Sequence, residues 1–240
     1  MPLDLNGNII SSGSISSGYF KNSIITNGLL IHVDAANKNS YSGTGTTWYD
    51  MSGNGNNGTL NGSVQYNSEN GGALRMTSFY DYIGFGTGTT FGPSTLTAEA
   101  WFKINTPTLN SYLWTIDGSD NPELRIYFAG TGNTVAYYNI YDAGAYMLSA
   151  GYSLSSSTWY CMSVTVQNGA AKMYFNGNLV GYGTGTFDGG NVSQHRFGYY
   201  TRANTSAAIA SIGSYRLYNR VLHNAEISNN YYATKARFGL

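Results

Sequence analysis

The 240-residue chain is poor in charge: 12 Lys and Arg balance 12 Asp and Glu, only 10% of residues are charged, and the formal net charge is zero. No basic patch stands out, which argues against binding a nucleic-acid phosphate backbone. The single cysteine, Cys161, rules out an internal disulfide. Apolar runs fall far short of the ~20 residues that span a bilayer, so no membrane insertion is expected. The first residues lack the basic and apolar blocks of a secretory leader, and no signal peptide is expected. Only four Glu are present (Glu69, Glu99, Glu123 and Glu226), and apart from Asp120 three residues before Glu123, none has another carboxylate within a few residues. A paired-carboxylate catalyst of the glycosidase type therefore has no local motif. The three histidines, His32, His195 and His223, are too far apart for a zinc spacing. No Gly-x-Ser-x-Gly elbow or phosphate loop is found. The expectation is that the protein is not an enzyme.

What is present is aromatic and turn-rich: 22 Tyr, 10 Phe, 4 Trp and 31 Gly. Leu96, Ala98, Ala100, Phe102 and Ile104 alternate strictly with Thr97, Glu99, Trp101 and Lys103, the period of a strand. Residues 159–167 alternate in the same way. Residues 171–175 and 178–182 flank Asn176-Gly177, the strongest short hairpin signal. Further strands are expected at 29–34, 82–85, 112–116, 124–128, 134–138, 195–198 and 208–217. Short strands at this spacing indicate a sandwich. One helix is expected at the C-terminus as a structural lid. His223 fills its cap slot, Glu226 the third position, Leu222 and Ile227 a staple, and Lys235 and Arg237 its basic end.

Residues 1–27 are Ser/Gly/Ile-rich and lack the means to build a core. They form an N-terminal arm, either a linker or a docking segment, ahead of a domain spanning 28–240. Two chemical features stand out. The loop at residues 50–58 gathers Asp50, Asn54 and Asn57 among glycines. Such a loop either satisfies its own backbone or wraps Ca²⁺, with Asp34 and Asp81 as the nearest acidic candidates to complete a site. The tracts holding Tyr137, Tyr138, Tyr141, Tyr199 and Tyr200 sit beside turns and offer stacking faces for sugars, or equally for protein contacts.

Several segments together resemble one family. They are Gly28-Leu29-Leu30-Ile31-His32-Val33-Asp34, the string from Trp48 to Gly58, Tyr80-Asp81-Tyr82-Ile83, Met173-Tyr174-Phe175-Asn176-Gly177, and Leu217-Tyr218-Asn219-Arg220 with Leu222, Glu226 and Ile227. They are similar to concanavalin A-like, laminin-G-type jelly-roll domains over about residues 28–232. The resemblance implies an all-β, two-sheet antiparallel jelly-roll sandwich with an N-terminal arm and a short C-terminal helix. It also implies a surface of the kind that binds carbohydrate, often near calcium. Catalytic members of that superfamily carry Glu-x-Asp-x-x-Glu on a central strand, whereas the comparable strand here, from Glu99 to Ile104, lacks both later carboxylates. The leader and the tail further resemble jelly-roll proteins of tailed bacteriophages, notably cyanobacterial ones. That likeness implies a virion structural protein (capsid decoration, tail or fibre component) assembled in the host cytoplasm. Its expected partners are other virion proteins or copies of itself in a homo-oligomer. The alternative is a carbohydrate-binding adhesin for host surface glycans, possibly calcium-assisted.

Overall fold

The computed structural model describes residues 23–86, 95–106, 111–118, 123–128, 135–142, 145–184, 192–198 and 207–240. The chain order is β1 (Leu29–Asp34), β2 (Thr47–Trp48), β3 (Gly58–Asn61), β4 (Gln65–Asn67), β5 (Ala73–Arg75), β6 (Tyr82–Gly84), β7 (Thr95–Thr106), β8 (Ser111–Gly118), β9 (Glu123–Phe128) and β10 (Val135–Asp142). It continues through β11 (Ala145–Ser153), β12 (Trp159–Gln167), β13 (Ala170–Phe175), β14 (Asn178–Thr184), β15 (Val192–Gly198) and β16 (Ile209–Tyr218) to helix α1 (Asn224–Thr234). The strands form two eight-stranded sheets. The first runs β14-β13-β12-β7-β16-β5-β4, with β1 also on β16; the second runs β11-β10-β9-β8-β15-β6-β3-β2. Every strand-to-strand ladder among the described residues is antiparallel, as a jelly-roll sandwich requires.

The strand alternation builds the core as expected. Leu96, Ala98, Ala100, Phe102 and Ile104 of β7 meet Leu113, Trp114, Ile116 and Ile126 of the second sheet in one cluster. Asn176 and Gly177 both have positive φ, as a type I′ turn demands, and β13 and β14 pair across them. The expected strands are present, along with short ones at β2 to β5 and a long one at β11 that the pattern did not announce.

The outer face of β7 departs from the simple alternation. Thr97, Glu99, Trp101 and Lys103 are also buried: α1 and the tail meet Glu99 and Trp101, residues 220–222 meet Thr97, and Lys103 pairs with Glu69. Trp101 stacks on Phe238 with ring centroids 4.1 Å apart and donates its indole N–H to Thr234 Oγ1 at 2.9 Å. The capping arrangement holds: the His223 backbone N–H donates to the Glu226 carboxylate at 2.9 Å, and Leu222 and Ile227 share a cluster. Helix docking, however, is largely polar, since Asn229 and Asn230 are fully buried. Arg237 lies beyond α1 in a short 3₁₀ turn and pairs with Asp34 at 2.5 Å instead of serving the helix end.

Residues 23–27 belong to the body. The Ile25 N–H donates to Asn230 Oδ1 at 2.8 Å, Asn229 Nδ2 donates to the Ser23 carbonyl at 2.9 Å, and the Tyr218 hydroxyl donates to the Ile25 carbonyl at 3.0 Å. Contacts with the body thus extend five residues ahead of Gly28, to Ser23. The remainder of the arm lies outside the described residues.

Candidate functional site

The sandwich has two outer sheet faces, and α1 with the tail closes the first. Beneath the helix lies a buried ion pair. Glu99 and Arg216 are 1% and 2% exposed. Arg216 Nε donates to Glu99 Oε1 at 2.9 Å, a second guanidinium nitrogen contacts the same oxygen, and Ser163 Oγ donates to Oε2 at 3.1 Å. Burial works against the Arg216 charge, but Glu99 more than offsets it and raises the guanidinium pKa above its ordinary value. Burial, with Glu99 nearby, pushes the Cys161 thiol well up, so this cysteine is a packing residue. Glu99 is the carboxylate that the sequence aligned with a catalytic strand. Here it is sealed under a helix with both oxygens hydrogen-bonded.

The loop at residues 50–58 closes on itself. The Asp50 carboxylate accepts from the His32 N–H (2.8 Å), the Ser52 N–H (2.9 Å), Ser52 Oγ (2.7 Å) and the Asn56 N–H (3.0 Å). Asn57 Oδ1 accepts from the Asp50 N–H at 2.8 Å, and Asn54 Nδ2 donates to the Leu29 carbonyl at 3.0 Å. Asp34 is committed to Arg237. Asp81 belongs to a different loop. Its carboxylate accepts from the backbone N–H groups of Ser63 (2.6 Å), Thr77 (2.7 Å) and Ser78 (2.9 Å). The five residues considered for calcium therefore divide among three separate tasks. Among the described residues no group of three His, Cys, Asp or Glu gathers to hold a metal. Both carboxylate oxygens of Asp50 and of Asp81, and Asn57 Oδ1, already accept from N–H and O–H groups, and the five residues split among three places, which does not fit the donor set of a resident cation.

The second sheet's outer face is different. Directly opposed residues of antiparallel neighbours share a face, and the registers line up Thr59, Gly84, Arg196, Thr115, Arg125, Asn139 and Ser149 across β3, β6, β15, β8, β9, β10 and β11. Thr59, Arg196, Thr115 and Arg125 of this row are turned away from the core, since their neighbours Leu60, Phe197, Trp114 and Ile126 are buried core residues. Arg196 lies over the Tyr82 ring, 4.7 Å from its centroid, on the adjacent strand. Arg125 stands 5.8 Å from the Tyr112 ring centroid and donates to the Tyr112 hydroxyl at 3.2 Å. Thr115, between the two arginines, is 2% exposed.

The loop leading into Tyr82 is held stiffly. Asp81 is buried at its root, bound by the amides named above. Gly62 and Gly198 have φ of +82° and +92°, and a Cβ on either would come within 2.4 Å and 2.3 Å of Asp81 atoms. The loop presents Phe79 at 48% and Tyr80 at 71% exposure.

Of the aromatic residues read from sequence, Tyr137 stands opposite Tyr127 and Gly151, and Tyr141 opposite Glu123 and Tyr146. Both take register positions on the face of Asn139 and Arg125. Tyr138 stands opposite Ile126. Tyr199 and Tyr200 lie outside the described residues. Sequence reasoning missed Tyr82, Arg196, Thr115, Arg125, Phe79 and Tyr80. The run Phe79-Tyr80-Asp81-Tyr82 was the available local signal, and the arginines gave none.

A family model described as "Concanavalin A-like lectin/glucanases superfamily" matches residues 75–228. No curated protein sequence matches the chain. Among solved structures, the Trypanosoma rangeli sialidase in complex with sialic acid superposes with a TM-score of 0.71 at 15% identity, over 95% of this chain and 36% of that one. The binding domain of botulinum neurotoxin serotype D superposes at 0.67 with 18% identity, over 88% and 53%. The binding domain of Paraclostridial Mosquitocidal Protein 1 gives 0.64 at 16% identity, over 86% and 52%. The chain spans about a third to a half of the length of these proteins, and the likeness is one of fold.

Proposed function

The chain belongs to the concanavalin A-like lectin/glucanase superfamily, and from that premise we propose that it is a non-catalytic carbohydrate-recognition module whose binding surface is the outer face of the second sheet. One observation carries this reading: the Arg196 guanidinium seated on the Tyr82 ring, in a polar row that crosses the sheet. Guanidinium, hydroxyl and amide groups hydrogen-bond to sugar hydroxyls, and aromatic faces pack against the C–H faces of the ring. The burial of Glu99 supports the absence of hydrolysis. The self-satisfied loop around Asp50 supports recognition without calcium. A printed glycan array tests the reading. The wild-type chain is expected to bind a defined sugar equally with Ca²⁺ and with chelator, and Arg196→Ala is expected to lower that affinity about tenfold or more. Silence across the array, or binding indifferent to Arg196, would sink the reading.

Within the same proposal the module is a structural component of a tailed-phage virion, displayed for contact with host surface glycans and repeated as a homo-oligomer. This setting rests on the sequence resemblance and on one geometric feature. The N-terminal segment joins the body at the Tyr218 end of β16, where the Asn219 N–H donates to the Gly28 carbonyl. The aromatic loop is tied to the other end, where the Ala207 N–H donates to the Phe79 carbonyl. The ten residues of β16 put about 33 Å between anchor and display ends. Deleting residues 1–22 is expected to abolish incorporation into particles while leaving the melting transition unchanged. Normal incorporation of the truncated chain would refute the anchoring role.

A further inference from the structure

On the helix-bearing side of the molecule, away from the second sheet and independent of its glycan reading, we propose a site for a small tetrahedral oxyanion, a phosphate or sulfate group. The site is a hollow of about 100 Å³ between the N-terminus of α1 and the β12–β13 ladder. Its volume suits one such group rather than a chain of rings. Lys172 and Asn224, at its edge, are exposed, so the hollow is open to solvent.

The floor of the hollow carries the first observation. β12 sends Val164 and Val166 into the core, so Thr165 between them points outward. Thr165 lines the hollow and is only 3% exposed. Its partner across the β7–β12 ladder, Thr97, is buried on the same face. Thr97 Oγ1 donates to the Arg220 carbonyl and accepts from the Leu222 N–H, both at 2.8 Å. The Thr165 hydroxyl, by contrast, has no hydrogen-bond partner among the described residues. A buried hydroxyl left unpaired costs stability, and an acceptor seated in the hollow would remove that cost.

The walls supply further donors and no competing acid. Helix α1 opens with Asn224 and Ala225. Their N–H groups have no acceptor among the described residues, as is usual in a first turn. The Tyr174 hydroxyl donates to Asn224 Oδ1 at 2.7 Å and ties the helix start to β13. Lys172 stands directly opposite Thr165 on β13, and no carboxylate pairs with it among the described residues. Glu226, the acid of the first turn, is committed elsewhere. Arg220 donates to its two oxygens at 2.6 and 2.9 Å, and the His223 N–H donates to it at 2.9 Å. An ammonium, a hydroxyl and helix-end amides thus approach from three elements, and the positive end of the helix acts in the same sense. Donors on three sides suit an anion whose oxygens point in three directions, more than the two oxygens of a planar carboxylate.

The test is an NMR titration of the isotope-labelled full chain with inorganic phosphate, sulfate, phenyl phosphate and acetate, with sodium chloride holding the ionic strength fixed. Phosphate and sulfate are expected to give saturable amide shifts at Asn224, Ala225, Thr165 and Lys172, and acetate to bind at least about threefold more weakly. Thr165→Val keeps the shape of the side chain. It is expected to lower phosphate affinity about tenfold while the urea midpoint holds or rises, because the lost hydroxyl has no partner in the free protein. Lys172→Ala is expected to weaken phosphate and sulfate alike. Phenyl phosphate binding as tightly as inorganic phosphate would support a phosphate ester on a larger molecule as the source; binding of the inorganic anions alone would support the free ion. Shifts that never saturate, or that are unchanged in Thr165→Val, would overturn the site. Acetate binding as tightly as phosphate would overturn its assignment to a tetrahedral anion.

Discussion

Arg216→Ala is expected to destabilise the domain by about 3–5 kcal/mol, measured by urea unfolding. Removing the guanidinium leaves the Glu99 carboxylate buried and deprived of its cation. Ser163 and the more distant Asn230 Nδ2, at 3.1 and 3.5 Å, are what remain to satisfy it. A single-domain protein has only about 5–15 kcal/mol of stability in all, so the variant would sit near its unfolding threshold. The control is Glu99→Leu/Arg216→Met, which replaces both charges with apolar groups. It is expected to cost less than the single change, because the penalty in Arg216→Ala comes mainly from stranding a charge. A loss below about 1 kcal/mol in Arg216→Ala would mean that water reaches Glu99 and that α1 is not the seal described above.

The second large effect is acid sensitivity. His195 is 2% exposed in the core. Its Nε2 lies 2.8 Å from the Tyr215 hydroxyl and accepts from the Trp114 indole N–H at 3.4 Å. Burial lowers its pKa from 6.5 to about 3. Between those values the unfolded chain binds a proton that the folded chain does not. Stability is therefore complete above about pH 6.5 and falls as the pH drops toward 3. The slope from this one residue is about 1.4 kcal/mol per pH unit, and the total is on the order of 4–5 kcal/mol. His32, lowered to about 4 chiefly by burial and then by Arg216, acts in the same direction. His195→Gln is expected to be less stable at pH 7 and to show a shallower decline between pH 6 and 4 in equilibrium unfolding. An unchanged slope would assign the acid sensitivity to other groups.

Both predictions concern residues whose role was half visible in the chain. The alternation of Leu96 to Ile104 announced β7 and its core face, and Asn176-Gly177 announced the β13–β14 turn, because those signals are local. The same alternation put Glu99 and Trp101 on what reads as a solvent face. Nothing local to β7 reveals that a helix some 125 residues later covers them, or that Arg216 arrives on the neighbouring strand. The loop acids show the same limit. Asp50, Asp34 and Asp81 each look like a free oxygen ligand in sequence, yet each has partners supplied by backbone amides or by Arg237. The polar row on the second sheet was least legible of all. Thr115, Arg125 and Arg196 are unremarkable alone, and only the pairing of β8 with both β9 and β15 lines them up. Among the tyrosines read as sugar-facing, Tyr137 and Tyr141 alternate with Tyr138 along β10, a register that the pairing with β9 and β11 supplies.

The measurement that bears most directly on the glycan face is backbone amide exchange in the full chain with and without an array-selected oligosaccharide. The expected result is added protection in β6, β15 and β8 and in the 77–81 loop, with α1 and the loop around Asp50 unchanged. Protection confined to α1 or to residues 50–58 would contradict the assignment and move the binding surface to the opposite sheet or to the Asp50 loop.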